Sequence, residues 1–478
     1  MSESRVDRRG IIPILLVGAF VVILNETTMN VGLASIMADF GVTERTAQWL
    51  TTAFMLTMAV VIPVTGWLLD WLPTRRVFVL AMSLFSAGTL ICGVAPTFAV
   101  LLAGRVVQAS GTAMMMPLLM TTIMQLVPAN QRGKTMGNIS LVIAVAPAMG
   151  PTLSGIILRF GSWRAIFFVV LPIALAILAL GLWRLVDVGE NKRTKLDLIS
   201  GPLTVLAFGP LVYGLSTVGA EDTPFWVPML AIGVGVGGLF AFMARQVVLQ
   251  GKGEAFLDLR TFTRPQFTIG VLMLAIAMMA MFGTVIMLPL LLQRAFGMEA
   301  ISVGLMMLPG GIMMGVLSPL IGRLYDRIGP RLLVVPASVL VLGVFVFFST
   351  INPATPWWAI MLGHLVMSVS FAAIFTPLFS VALGALPRSL YSHGSAAVGT
   401  IQQVAGAAGT AVFVTVFSMQ TAAALPSAPS EGAAMLEGAH WAFLGAGAIW
   451  TAALICGFFL KKPDEDQELS DEGAAFAH

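Results

Sequence analysis

Only 10% of this 478-residue chain is charged, against about a quarter in soluble domains, so it has too little polar surface to cover itself with water. Cysteine is also scarce: Cys92 and Cys456 each sit inside an apolar run, which excludes a disulfide framework and any cysteine metal centre. Both read as packing residues. The four histidines, His364, His393, His440 and His478, are scattered, so no enzyme-like set of nucleophile, base or metal ligands is gathered. A nucleotide-driven pump lacks its binding domain. Gly133-Lys134-Thr135 imitates the end of a phosphate-binding loop, but Pro128 stands where that loop needs glycine and no strand precedes it. A net charge of +3 says little about partners, because basic residues in a membrane protein report orientation first. No nucleic acid, cofactor or metal is expected.

What the chain does have is apolar length: 58% hydrophobic residues and a mean hydropathy of +0.93. The runs approach the roughly 20 residues needed to cross a bilayer. They predict fourteen helices, at 11–34, 48–69, 77–95, 97–125, 137–158, 165–186, 198–218, 226–245, 267–289, 301–322, 332–350, 357–385, 395–419 and 440–460. With the amino terminus inside, the inner segments collect Arg5, Arg8, Arg9, Arg75, Arg76, Arg132, Lys134, Arg184, Lys192, Arg193 and Lys195. The outer ones hold only Arg45, Arg159, Arg164 and Arg294, which predicts both termini in the cytoplasm.

The block Gly66-Trp-Leu-Leu-Asp70-Trp-Leu-Pro-Thr-Arg75-Arg76 recurs in pattern as Gly322-Arg-Leu-Tyr-Asp326-Arg327-Ile-Gly-Pro-Arg331, 256 positions later. Internal repeats are how transporters build paired halves. Six helices need roughly 190 to 200 residues at this density, so two further helices fit the excess. The expected fold is therefore an all-α polytopic membrane protein with two six-helix bundles and two extra helices between them. The divisions are 11–186, a linker 187–197, the extra pair 198–245, a linker 246–266, a second bundle 267–460 and an acidic disordered tail 461–478. The outer loop Pro426–Gly438, small and Pro/Ser/Ala-rich, reads as mobile.

In each repeated block glycine permits close helix approach, an aspartate ends the helix and cations follow. The aspartate can hold the amino terminus of the next helix or pair with those arginines, making a breakable latch; as single copies, Asp70 and Asp326 would pass as ordinary caps. These blocks (Gly66, Asp70, Arg75, Arg76; Gly322, Asp326, Arg327, Arg331) are the candidate cytoplasmic gate. Glu26 is the lone carboxylate well inside a span and the main functional candidate, against a neutral acid bonded to a neighbouring helix. Arg105 is its basic counterpart, against a snorkelling arginine. Both lie roughly 12 Å below the outer surface at 1.5 Å per residue. His364 comes out at that depth too, although a packing histidine is the simpler reading. Gly150, Pro151 and Gly155 make the fifth span a gate or a tight interface. Gln402 and Gln403 place amides in the thirteenth.

These residues resemble the fourteen-helix drug:proton antiporter group of the major facilitator superfamily across 11–460. Leu24-Asn25-Glu26-Thr27-Thr28-Met29-Asn30-Val31 is similar to its first-helix motif and Gly66–Arg76 to its cytoplasmic loop motif. Leu101–Gly111 with Arg105 resembles the fourth-helix motif implicated in proton handling. Gly150-Pro151 with Gly155 resembles the antiporter motif, and Trp163-Arg164-Ala-Ile-Phe-Phe the opening of helix 6. Many relatives carry aspartate where Asn25 stands, which moves the coupling acid to Glu26, and Gln402 stands where an arginine is common. The Asn-Glu-Thr variant and His393-Gly394-Ser395 look most like lincomycin-resistance exporters. The resemblance implies a monomeric, proton-coupled exporter of amphipathic drugs across the cytoplasmic membrane. Glu26 and Arg105 would handle protons, and Asn25, Asn30, Gln108, His364, Gln402 and Gln403 would line the substrate cavity. An exporter of one endogenous metabolite is the nearest rival, and a non-transporting receptor the more distant one.

Overall fold

The structure is a computed structural model that describes residues 10–188, 195–218 and 223–463. Among these residues there are fourteen α-helices and three short 3₁₀ turns. The first bundle holds α1 (Ile11–Phe40), α2 (Glu44–Trp71), α3 (Thr74–Gly93), α4 (Phe98–Leu126), α5 (Arg132–Phe160) and α6 (Arg164–Arg184). The extra pair is α7 (Ser200–Thr217) and α8 (Trp226–Gln250). The second bundle holds α9 (Pro265–Arg294), α10 (Ala300–Ile328), α11 (Arg331–Ser349), α12 (Trp357–Gly384), α13 (Tyr391–Ala424) and α14 (Glu431–Gly457).

Thirteen of these helices are long and apolar enough to cross a membrane. The exception is α7, whose 18 residues are diluted by Pro202, Pro210 and three glycines. It is held by its neighbour: added side-chain carbons at Gly235 and Gly238 of α8 would run into the α7 backbone at Leu211 and Leu206.

Several helices outrun their apolar stretches. α5 begins at Arg132, α10 continues to Ile328 and α13 begins at Tyr391, because backbone hydrogen bonding continues past the hydrocarbon wherever a facing helix covers the added turn. A correction falls on Pro426–Gly438: the chain is helical from Glu431, where the Ser430 hydroxyl caps the first turn by accepting from the Ala433 N–H at 3.2 Å. The expected disordered tail lies outside the described residues from 464 onward, as do 189–194 of the charged linker and Arg5, Arg8 and Arg9. The linker read at 246–266 starts as helix, since α8 runs to Gln250.

The bundles meet along two seams. α5 lies against α10 and α2 against α13, with α4–α13 and α5–α12 contacts beside them. α7 packs on both α2 and α13, so the extra pair covers one seam from outside. Trp49 of α2 and Tyr213 of α7 stack there with ring centroids 5.8 Å apart.

Candidate functional site

The polar centre of the first bundle is built where α1 meets α4. Arg105 is 1% exposed, and a guanidinium at such a place needs its donors satisfied. It donates to Gln108 Oε1 at 2.7 Å and to the Leu50 carbonyl at 3.4 Å, and lies 4.1 Å over the Phe54 ring. These bonds exclude the snorkelling reading. Gln108 is the pivot: its amide nitrogen donates to Asn25 Oδ1 at 3.3 Å and to Thr89 Oγ1 at 2.7 Å, so three helices are tied through one side chain.

Asn25 is thus turned into α4, and Thr27 and Ser154 join α1 to α5. A side chain at Gly150 would strike Thr27, and Ser154 Oγ donates to the Thr28 carbonyl at 2.6 Å. Glu26, about 100° around the helix from Asn25, projects onto the face these contacts leave free. It is half-buried and makes no hydrogen bond or ion pair among the described residues. A carboxylate that retains accessible surface beside a fixed cation can exchange protons without first breaking a structural bond.

The two repeated aspartates behave as latches, but across the bundles. Asp326, at the end of α10, accepts from the backbone N–H groups of Gly133 and Lys134, both at 2.9 Å, at the amino terminus of α5. Four orphan N–H groups and the positive end of the helix dipole make that terminus a carboxylate site. Gly322 lies against the Gly133 carbonyl, where no side chain fits; Gly137 meets Ser318 and Pro319 in the same way one turn on. The expectation that each aspartate caps the next helix in sequence is corrected here: the terminus is supplied by the opposite bundle. Asp70 does the equivalent at α13. Ser392 Oγ donates to its Oδ1, and His393 Nε2 lies 3.3 Å from its Oδ2. The cations of the blocks go elsewhere. Arg75 reaches the Leu182 carbonyl and binds Asp187 through its own N–H, Arg76 and Arg327 are exposed, and Arg331 lies 5.7 Å over Phe458.

These contacts share one end of the molecule, the end carrying the repeated loops. Further in, Ser140 and Thr376 bond at 2.9 Å and Gly315 meets Val145. Beyond them α5 turns to α1 at Gly150, and α10 turns to α12 at Gly310, which backs onto His364 and Ser368. The bundles are therefore latched at the loop end. At the opposite end the first bundle is clamped within itself: Arg164 pairs with Asp39 at 2.7 Å and Trp163 Nε1 donates to the same oxygen at 3.0 Å. The Arg164 bond, then the Trp163 bond, hold the Asp39 carboxyl below its usual range.

The remaining candidates are not gathered at Glu26. His364 is 6% exposed in the second bundle, facing α10, with Nδ1 unbonded. Gln402 and Gln403 are half-buried on α13, and the Gln402 amide nitrogen has no partner. Gly155 has open space around it. The side chains of Asn30 and Pro151 lie outside the described set. Sequence reasoning missed Ser392 and the α5 terminus at Gly133, and Gln246, whose Oε1 accepts from the Phe256 N–H at 2.7 Å; for the α5–α10 contact the small-residue spacing Gly133–Gly137 facing Gly315–Ser318–Gly322 was the available signal.

Two repeat-related bundles that latch at one end around a polar centre define a membrane transporter, and comparison with known proteins agrees. The chain belongs to the Major Facilitator Superfamily, which residues 15–410 match. It is 38% identical over 98% of both chains to the uncharacterized MFS-type transporter YcnB of Bacillus subtilis. It is 37% identical to the lincomycin resistance protein LmrB of Listeria monocytogenes, over 95% of this chain and 96% of that one. Among solved structures, the xylose symporter XylE in a double-tryptophan form superposes with a TM-score of 0.65 at 14% identity, over 95% and 96% of the two chains, which shows the shared fold. The protein is a multi-pass cell-membrane transporter of this superfamily and not an enzyme.

Proposed function

We propose that the protein exports amphipathic, largely cationic small molecules in exchange for protons, with Glu26 as the coupling acid. The observation that carries this is a half-buried, unbonded carboxylate one residue from the Asn25–Gln108–Arg105 network. Ionised in a low-dielectric cavity, Glu26 attracts a lipophilic cation; protonated, it releases it. In this reading the loop-motif end faces the cytoplasm, as the distribution of basic residues supports, and the latched state accepts protons from outside. Gln402, Gln403 and His364 contribute polar contacts from the second bundle, with Gly150, Pro151 and Gly155 letting α5 flex against α1. The 37% identity to a lincomycin resistance protein supports drugs as cargo.

The test is uptake driven by a pH gradient into inverted vesicles across a panel of cationic and neutral compounds. Wild type should accumulate several unrelated cations, and Glu26→Gln should not. Uptake by Glu26→Gln that still follows the gradient would remove Glu26 from the coupling, and protection by a single metabolite only would favour the specific exporter.

A further inference from the structure

The chain between α8 and α9 leaves helix yet runs inside the protein. Gly253, at φ 68°, and the Glu254 N–H, which donates to the Leu249 carbonyl at 3.2 Å, turn it back at the end of α8. Ala255, Phe256, Leu257 and Asp258 are then all buried, so their backbone groups need partners that no helix supplies. Gln246 supplies two of them: its Oε1 accepts from the Phe256 and Leu257 N–H groups at 2.7 and 3.3 Å. Its Nε2 donates to Ser200 Oγ at 2.9 Å, and Asp197 joins Ser200 to Arg245, so this strap, α7 and α8 form one bonded unit. Downstream, Phe262 packs on Phe267 at 5.3 Å and Thr268 Oγ1 donates to the Phe262 carbonyl at 2.7 Å, which ties the strap to α9.

The strap fills the loop end of the α2–α13 seam, and its two sides differ. Toward α13, the Phe256 carbonyl accepts from His393 Nδ1 at 3.2 Å. Toward α2 the contact is packing: the same carbonyl occupies the space that Gly66 leaves, and the Phe256 ring lies 5.9 Å from that of Trp67. Trp67 is 5% exposed, and its buried Nε1 has no acceptor among the described residues. An unpaired buried donor is costly, and water entering an opened seam would satisfy it. At the other end of α7, roughly 20 Å from Ser200 at 1.5 Å per residue, Tyr213 stacks on Trp49 of α2 with ring centroids 5.8 Å apart. Stacked rings tolerate tilting, since no donor has to keep its acceptor.

We propose that the extra helix pair is a swinging closure for the α2–α13 seam: α7 pivots where Tyr213 stacks on Trp49, and the strap leaves α2 at Gly66 and Trp67 when the loop end opens, staying bonded to α13 through His393. Parting on the α2 side breaks no hydrogen bond of Ala255, Phe256, Leu257, Gly66 or Trp67 with the opposite element, and it frees the Trp67 N–H to meet water. Parting on the other side would break the His393 bond and pull against the two N–H groups held by Gln246. The strap therefore seals the loop end when the bundles are latched and moves with the second bundle when they separate. The device is indifferent to cargo and holds whether or not Glu26 is the coupling acid.

The experiment measures distances between spin-label pairs in the full-length protein in nanodiscs, with Cys92→Ala and Cys456→Ala removing the native thiols. Leu80→Cys with Ser389→Cys reads the seam, Lys252→Cys with Leu80→Cys reads the strap against the first bundle, and Lys252→Cys with Ser389→Cys reads it against α13. Gly66→Val drives a side chain onto the Phe256 carbonyl, so the closed-to-open ratio of the seam pair should fall at least about fivefold. The Lys252–Leu80 pair should lengthen in the same proportion, while the Lys252–Ser389 pair keeps one distance. Gln246→Met leaves two N–H groups unpaired that water reaches only in an opened seam, and should shift the seam pair in the same direction. Ser216→Cys with Thr43→Cys, at the outer ends of α7 and α2, should hold a single distance throughout. A seam that stays closed in both variants, or a Lys252–Ser389 pair that lengthens while Lys252–Leu80 stays fixed, would overturn the proposal, and a Ser216–Thr43 pair that divides with the seam would remove the pivot.

Discussion

The α5–α10 and α2–α13 seams answer the same mechanical need with different chemistry. At the first, Asp326 binds two backbone N–H groups and a glycine pair brings the helices into backbone contact. Such a latch is made of charge against a helix terminus and of packing, with Lys462 donating to the Asp326 carbonyl at 3.0 Å. At the second, Asp70 meets the side chains of Ser392 and His393, and a third element, the chain leaving α8, lies against His393 through the Phe256 carbonyl. The duplicated scaffold therefore closes its two seams with different partners. The extra helix pair lies over the α2–α13 seam, with α7 packed on both α2 and α13.

Breaking the simple seam should have the largest effect. Gly322→Val forces a branched side chain onto the Gly133 carbonyl, an overpacking cost of about 1–3 kcal/mol or more against the latched state. Cross-linking of α5 to α10 at the loop end should then fall at least about tenfold, with α2–α13 cross-linking unchanged. Asp326→Ala removes the carboxylate from the α5 terminus and leaves two N–H groups unpaired, about 1–2 kcal/mol, seen as faster proteolysis or labelling of the loop end. The same change at Asp70 should loosen the α2–α13 seam and leave the α5–α10 labelling unchanged, whereas Asp326→Ala should do the reverse. That difference is the sharpest test of the comparison.

The smallest effect concerns the clamp on the extra pair. Asp197→Ala removes the α7 cap and the Arg245 partner, so thermal unfolding of the purified protein should occur at lower temperature, by about 1 kcal/mol of stability. The Arg245 bond, opposed by desolvation and aided by Ser200, lowers the Asp197 carboxyl to about 2. Its folded value lies below the unfolded value of about 4, so its stabilisation is present above that unfolded value and is lost as pH falls through about 2. Between neutral and mildly acidic pH the clamp should therefore be constant.

Much of the architecture was legible before folding. Hydropathy together with the spacing of the repeat located the fourteen helices, thirteen of them apolar enough to span a membrane, because a span must satisfy its backbone internally and clothe it in apolar side chains. Helix ends were less legible, as α14 shows: Glu431–Gly438 is too polar to read as a span, yet Ser430 caps it and it continues the helix. Of the central polar group, Glu26 and Arg105 stood out by their isolation in apolar sequence. Gln108 was legible only through resemblance, since an amide carries no mark of being the pivot between two other side chains. Gly133-Lys134-Thr135, which mimics a phosphate loop, turned out to offer its backbone N–H groups to Asp326.

The sequence by itself determined the number of spans, the doubling of the scaffold and the rarity of charge within it, because each follows from local composition and the thickness of a bilayer. Tertiary structure alone decided which groups those charges meet. Asp70 lies 322 residues from Ser392 and Asp326 lies 193 from Gly133. No local pattern encodes such pairings, because they arise only when two separately folded bundles bring helix ends within hydrogen-bonding distance.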